Sequence, residues 1–139
     1  MDAKKLKEVL ALHKVWIDSY GAKGKRADLN GANLHGSDLS GSDLRGAELY
    51  GADLWEACLY GADLGAAYLS DAYLSGVDLS GANLCEVNLT GADLRGAKVT
   101  LELCEVYSLR DAKVSEEHLP WIMLNPRHSK WFESLKVSA

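Results

Sequence analysis

The sequence has no run of about 18 apolar residues, so no membrane-spanning helix is predicted. Its opening stretch, MDAKKLKEVLALHK, mixes acids and bases and contains no signal-like apolar segment or cleavage site. A cytoplasmic protein is expected. Cysteine is scarce, with three residues at 58, 85 and 104 and no Cys-x-x-Cys pair, which fits reduced thiols. The phosphate-loop, nucleophile-elbow and zinc-protease signatures GxxxxGK[ST], GxSxG and HExxH do not occur. Of the four histidines, 13, 35, 118 and 128, none stands at metal-ligand spacing from a cysteine or another histidine. No enzyme, cofactor or metal site is expected. Basic residues are few in the middle: residues 27–101 carry three Lys/Arg against eleven Asp/Glu, a net −8. Residues 1–26 are at +4 and residues 102–139 at −1. Such a middle repels nucleic acid phosphates, so direct nucleic acid binding is not expected. The charge suits a basic partner, or it keeps the protein soluble.

What is present is a period of five. From Arg26 to Arg95, leucine recurs at every fifth position, filling all fourteen centres from Leu29 to Leu94. A helix would spread these leucines around its axis, because five steps of about 100° advance a side chain by about 140°. A flat strand would place successive leucines on opposite faces, because its period is two. Two residues before each centre stands a small residue: alanine ten times, otherwise Ser37, Ser42, Val77 and Val87. One before is commonly Asp or Asn, as at Asp28, Asn33, Asp53 and Asn83. Two after is glycine ten times, with Glu56, Ala66, Asp71 and Glu86 as exceptions. In extended backbone, residues two apart share a side, so the small residue and the leucine point inward and the polar residue outward. Glycine then marks a corner that needs unusual dihedrals. One side and one corner per unit wind the chain into coils, stacked about 4.8 Å apart by backbone hydrogen bonds.

The units ADLNG at 27–31, ANLHG at 32–36 and GADLR at 91–95 resemble the pentapeptide-repeat family, over roughly residues 26–115. The resemblance implies an all-β solenoid, a right-handed quadrilateral β-helix with four units per coil and no catalytic residue in its repeat. Centres continue in step through Cys104, Leu109 and Val114, with Glu102 and Tyr107 in small-residue places, so a distorted last coil is expected. At four units per coil the rod is about 20–25 Å long. Cys85 then points outward and Cys104 inward on one wall, which argues against a bond between them. Asp43 and Asp63 stack on one wall, as do Asn33, Asp53 and Asp93. Side chains leaving a flat wall diverge, whereas calcium needs about six to eight converging oxygens.

Three parts are expected: a capping helix and linker at 1–25, the β-helix at 26–115 and a C-terminal cap at 116–139. Leu6, Val9, Leu10, His13, Ile17 and Tyr20 form a helical stripe within residues 2–20, with Trp16 at its edge. Asp2 suits the N-cap and Gly21 the C′ position. At the other end, Asn125-Pro126 predicts the start of a short helical cap. Its apolar residues, Trp131, Phe132 and Leu135, with Trp121 before them, serve either intramolecular capping or a homodimer contact. The chain is therefore expected to be a monomer or a homodimer.

Outward positions near the middle carry Tyr50, Trp55, Tyr60, Tyr68 and Tyr73. With four units per coil, Tyr50 and Tyr68 share one wall, Trp55 and Tyr73 the next, and Tyr60 follows on the third. Exposed aromatic clusters mark interaction sites, although stacked tyrosines also stabilise a β-wall. The expected function is that of a non-enzymatic, rigid, acidic scaffold for a protein partner, with no membrane role. The resemblance implies an alternative, a DNA mimic that binds a type II topoisomerase such as DNA gyrase.

Overall fold

The computed structural model describes residues 1–99, 107–124 and 134–139. Each wall is a ladder of parallel pairings between residues twenty apart: Asp28 with Glu48 with Tyr68 with Asn88 with Ser108, and Asn33 with Asp53 with Tyr73 with Asp93 with Lys113. The two remaining walls pair Asp38 with Cys58 with Asp78, and Asp43 with Asp63 with Asn83. Two short strands, β1 (Asp78–Leu79) and β2 (Lys98–Val99), extend the third ladder in the same register. Twenty residues per coil is four units of five. Between coils, the amide of Leu54 donates to the carbonyl of Tyr73 at 2.9 Å, and that of Asp53 to the carbonyl of Ala32 at 2.9 Å.

The corners explain the glycines. In each unit the residue after the glycine position donates back to the leucine carbonyl, as Ala32 does to Leu29 at 3.1 Å. The glycine between them has a positive φ, 62° at Gly31, and the residue before it does not. This is a type II turn, which requires the left-handed region at its third residue. Glu56, Ala66, Asp71 and Glu86 adopt the same conformation, with φ of 54–59°. The fold thus imposes the corner even where the local residue disfavours it.

All fourteen repeat leucines are buried along the axis, together with Ala27, Ala47, Ala52 and the other small residues. The polar residue between them does more than face water. Asp or Asn accepts a hydrogen bond from the amide two residues on: Ser40 to Asp38 at 3.0 Å, Trp55 to Asp53 at 3.1 Å, Cys85 to Asn83 at 3.0 Å. That amide sits at the corner, where it takes no part in the ladder, so a short acceptor side chain supplies its partner.

Helix α1 (Ala3–Asp18) lies against the first coil. Asp2 is its N-cap and accepts from the Lys5 amide at 2.8 Å. Leu6 and His13 are buried, and Val9 and Leu10 pack on the core. The expected stripe ends one turn too late. Tyr20 is 99% exposed, because it leaves the helix in the left-handed conformation at φ 53°. The amides of Tyr20 and Gly21 donate to the carbonyls of Ile17 and Trp16, forming a Schellman end with Tyr20 at C′ and Gly21 one place later. Tyr20→Gly is therefore expected to stabilise the protein by about 1 kcal/mol, since a left-handed non-glycine residue costs about 1–2 kcal/mol and glycine recovers only part of that against its unfolded-state entropy. Urea denaturation checks this, and a loss of stability would refute it.

Past the last described coil, β3 (Lys113–Ser115) leads through a 3₁₀ turn, Glu116–His118, into helix α2 (Leu119–Leu124), which buries Ile122. The last three-residue strand, β4 (Lys136–Ser138), pairs in parallel with β3, Lys113 with Lys136 and Val114 with Val137. The sequence reading expected only a helical cap and missed this strand. Its signal is the triplet KVS at 113–115 and again at 136–138. The expected helix start at Asn125-Pro126 and the residues Trp131 and Phe132 lie outside the described residues, as does the side chain of Trp121. Leu135 is half-buried and packs on the core.

Candidate functional site

A buried histidine joins each end to the coils. His13 accepts the amide of Ala27 at Nδ1, 3.0 Å, and stacks on Trp16 with centroids 5.5 Å apart. His118 accepts the amide of Ser115 at Nδ1, 3.0 Å, and its Nε2 meets the Ala97 carbonyl at 2.8 Å. Burial holds the His13 pKa below its ordinary 6.5, although the Asp43 carboxylate and the Arg45 carbonyl favour the proton; the Arg26 and Arg45 guanidiniums oppose it. Below pH about 6.5 the unfolded chain therefore takes up a proton that the folded chain refuses, and stability falls as pH falls. Above that value both states are neutral and the slope vanishes. His13→Asn keeps an acceptor for Ala27, so its stability between pH 7 and 5, measured by denaturant midpoints, is expected to vary less than that of the parent chain. An identical slope would assign the effect elsewhere.

The acidic walls are partly neutralised by their own arginines. Arg45 grips Asp43 through Nη2 at 2.7 Å and Nε at 2.9 Å, and reaches Asp63 at 3.6 Å. Arg95 grips Asp93 in the same two-pronged way at 2.5 and 2.8 Å. These hydrogen bonds hold both carboxyls below the usual aspartate range, as the Ser40 hydroxyl does for Asp38 and the Ser80 hydroxyl for Asp78. Among the described residues no group of His, Cys, Asp and Glu is disposed to hold a metal ion.

The five aromatic residues of the belt are all about half exposed, from 49% at Trp55 to 60% at Tyr60. Tyr50 and Tyr68 line a groove of about 410 Å³ with Arg26, Asn30, Glu48 and Ser70. Trp55 and Tyr73 line a second groove of about 330 Å³ with Asp53 and Ser75. His35 stacks on Trp55 at 4.7 Å. Tyr60, beyond the next corner, lines neither groove. Tyr107, which the repeat register places inward, is instead 69% exposed, and it lines a third groove of about 380 Å³ with Tyr68 and Glu86. Its neighbour Ser108 is buried on the wall opposite Asn88, where its hydroxyl accepts the Arg110 amide at 3.2 Å and the Thr90 hydroxyl at 2.8 Å.

The cysteines correct two expectations, that the thiols are reduced and that Cys85 takes no bond. Cys85 is disulfide-bonded, its partner outside the described residues, while Cys58 carries a free thiol. The outward and inward placing of Cys85 and Cys104 assumed a regular coil across a segment where the repeat pattern had already broken.

Four walls of five-residue rungs, cornered by type II turns around an axis of leucines, define a quadrilateral β-solenoid. The profile for pentapeptide repeats matches residues 27–65 and 66–100, in eight copies. The chain belongs to the pentapeptide-repeat family, whose members form right-handed quadrilateral β-helices and generally serve as structural or interaction proteins. No curated protein matches it. It is similar to the crystal structure of HetL, a pentapeptide-repeat protein involved in heterocyst differentiation regulation in the cyanobacterium Nostoc sp. strain PCC 7120. The identity is 36%, the TM-score 0.51, and the match covers 66% of this chain and 36% of HetL. It is also similar to Rfr23 from the cyanobacterium Cyanothece 51142, at 36% identity and a TM-score of 0.50, over 69% of this chain and 65% of Rfr23. The match thus spans about a third of HetL and somewhat less than two thirds of Rfr23. No helix among the described residues is long and apolar enough to cross a membrane.

Proposed function

We propose that the protein is a non-enzymatic scaffold of the cytoplasm, a short acidic rod that binds a protein partner through the aromatic belt of Tyr50, Trp55, Tyr60, Tyr68 and Tyr73. The observation that carries this reading is the half-exposed aromatic surface on adjacent walls, flanked by Glu48 and Asp53. Aromatic side chains of this kind anchor interfaces because they bury a large area at little conformational cost. The segments 1–25 and 116–139 close the two ends of the rod, whose stacked backbone otherwise offers open edges. The C-terminal segment also offers a contact for a second copy. Light scattering at several concentrations tests that contact, and a strictly monomeric mass would remove it.

The double variant Trp55→Ser, Tyr73→Ser separates binding from architecture. A pull-down from the native cell is expected to lose a partner that the parent chain retains. Retention of every partner by a destabilised variant would make the belt a purely structural feature.

The second reading is a duplex mimic that engages a type II topoisomerase such as DNA gyrase. The net −8 of residues 27–101 and the stacking of Asp43 on Asp63 favour it. The arginines that grip Asp43 and Asp93, and the aromatics between the acids, weigh against it. No effect of micromolar protein on gyrase supercoiling would end this reading.

A further inference from the structure

The two grooves of the belt are the same structure repeated one unit later. Adding five to Glu48, Tyr50, Tyr68 and Ser70 yields Asp53, Trp55, Tyr73 and Ser75: an acid, an aromatic, a tyrosine one coil on, and a serine. The first groove already holds a cation. The Arg26 guanidinium lies 5.0 Å from the centre of the Tyr68 ring, and its Nη1 meets Glu48 Oε1 at 2.8 Å. Its Nε donates to the Gly46 carbonyl at 2.6 Å, which fixes the approach. The face of a tyrosine attracts a cation, and a carboxylate beside it adds a charged hydrogen bond. The chain thus shows on its own surface what this combination of side chains accepts.

In the second groove the place of Arg26 falls to Gly31, a corner glycine at φ 62° with no side chain to offer. Among the described residues no cation pairs with Asp53. We propose that the groove formed by Asp53, Trp55, Tyr73 and Ser75 is a receptor for an arginine side chain of the partner protein, seated over Tyr73 and bonded to Asp53 as Arg26 is seated over Tyr68 and bonded to Glu48. The proposal rests on the scaffold reading and names the chemistry of its partner, an exposed arginine on a basic segment. The surrounding charge agrees, since residues 27–101 carry eleven acids and three bases. Guanidinium is the specific expectation over ammonium, because it is planar, weakly hydrated and able to stack.

The test uses the full chain and three short peptides, N-acetyl-Gly-Arg-Gly amide and its citrulline and lysine counterparts, at low ionic strength. The side-chain indole resonance of Trp55 is followed by NMR. The arginine peptide is expected to shift it saturably in the millimolar range, with the uncharged citrulline peptide weaker by about ten-fold. Asp53→Asn is expected to weaken the arginine peptide by a similar factor without disturbing the corner, because asparagine accepts the same amide bond at Asn33 (from His35, 3.2 Å). Tyr73→Asn should do the same. Equal binding of citrulline or lysine, an unchanged affinity in Asp53→Asn, or no shift with any peptide would overturn the assignment. A belt-dependent pull-down together with a failed peptide titration leaves the scaffold reading standing and removes this one.

Discussion

Leu64→Ala is expected to cost about 3–5 kcal/mol, the upper part of the range for truncating a buried leucine. Leu64 is fully buried, and its neighbours along the axis, Leu44 and Leu84, stand one coil to either side. The hole cannot be filled by collapse, because each wall is held at a fixed spacing by ladder bonds such as Leu64 to Asn83 at 2.9 Å and Asp63 to Ser42 at 2.9 Å. Each coil also depends on the one beside it, so a defect in the middle weakens both halves. Val99→Ala, at the half-exposed last position of β2, should cost clearly less. Urea denaturation measures both. A loss under about 1 kcal/mol at Leu64 would mean that the leucine axis is not the main store of stability.

The second large effect is expected at Gly24, where the chain passes α1 on its way into the first coil. A Cβ there would stand 2.4 Å from the Leu12 carbonyl oxygen, 2.6 Å from the Trp16 nitrogen and 2.9 Å from the Val15 Cβ. Two of these are helix backbone atoms, which yield only if the whole helix moves. The φ of 72° adds the left-handed penalty. Gly24→Ala is expected to cost at least about 3 kcal/mol, against about 1–2 kcal/mol for Gly31→Ala, where φ is similar but no atom lies within 4 Å of the added carbon. Denaturation followed by helical circular dichroism and tryptophan fluorescence separates the two. Equal costs would show that α1 shifts freely on the coils.

Leucine at every fifth position, between a small residue and a glycine, left one economical solution for the backbone, and the coil was legible from it. The role of Asp and Asn was legible only in part. Their polarity argues for the outside, but the bond to the amide two residues on emerges only once the corner geometry is known. Tyr20 was misread because helical spacing says nothing of where a helix stops, and Gly21 was the obvious candidate for a place that Tyr20 fills. At Tyr107 the expected irregularity is present: a tyrosine in a small-residue place stays exposed, while Ser108 keeps the outward polar place opposite Asn88 and accepts the Arg110 amide. The β4 strand was missed because a three-residue strand gains its stability from a distant partner, and its own sequence carries no period. In the belt, the grouping of aromatics was readable from the number twenty. The seating of Arg26 over Tyr68 was not, since Arg26 lies before the first leucine and looks like the end of a linker.

One consequence of the i to i+20 ladder concerns insertions and deletions. Removing a whole set of twenty residues, or duplicating one, shortens or lengthens the protein and leaves every later wall facing as before. Removing five keeps each leucine inside and each corner glycine in place, yet swings everything downstream by a quarter revolution. A deletion of that size between Trp55 and Tyr68 would carry Tyr68 and Tyr73 away from Glu48 and Asp53 while the interior stayed intact. The surface of this protein is thus written in an alphabet of quarter turns, and its spelling can be lost without any loss of its grammar.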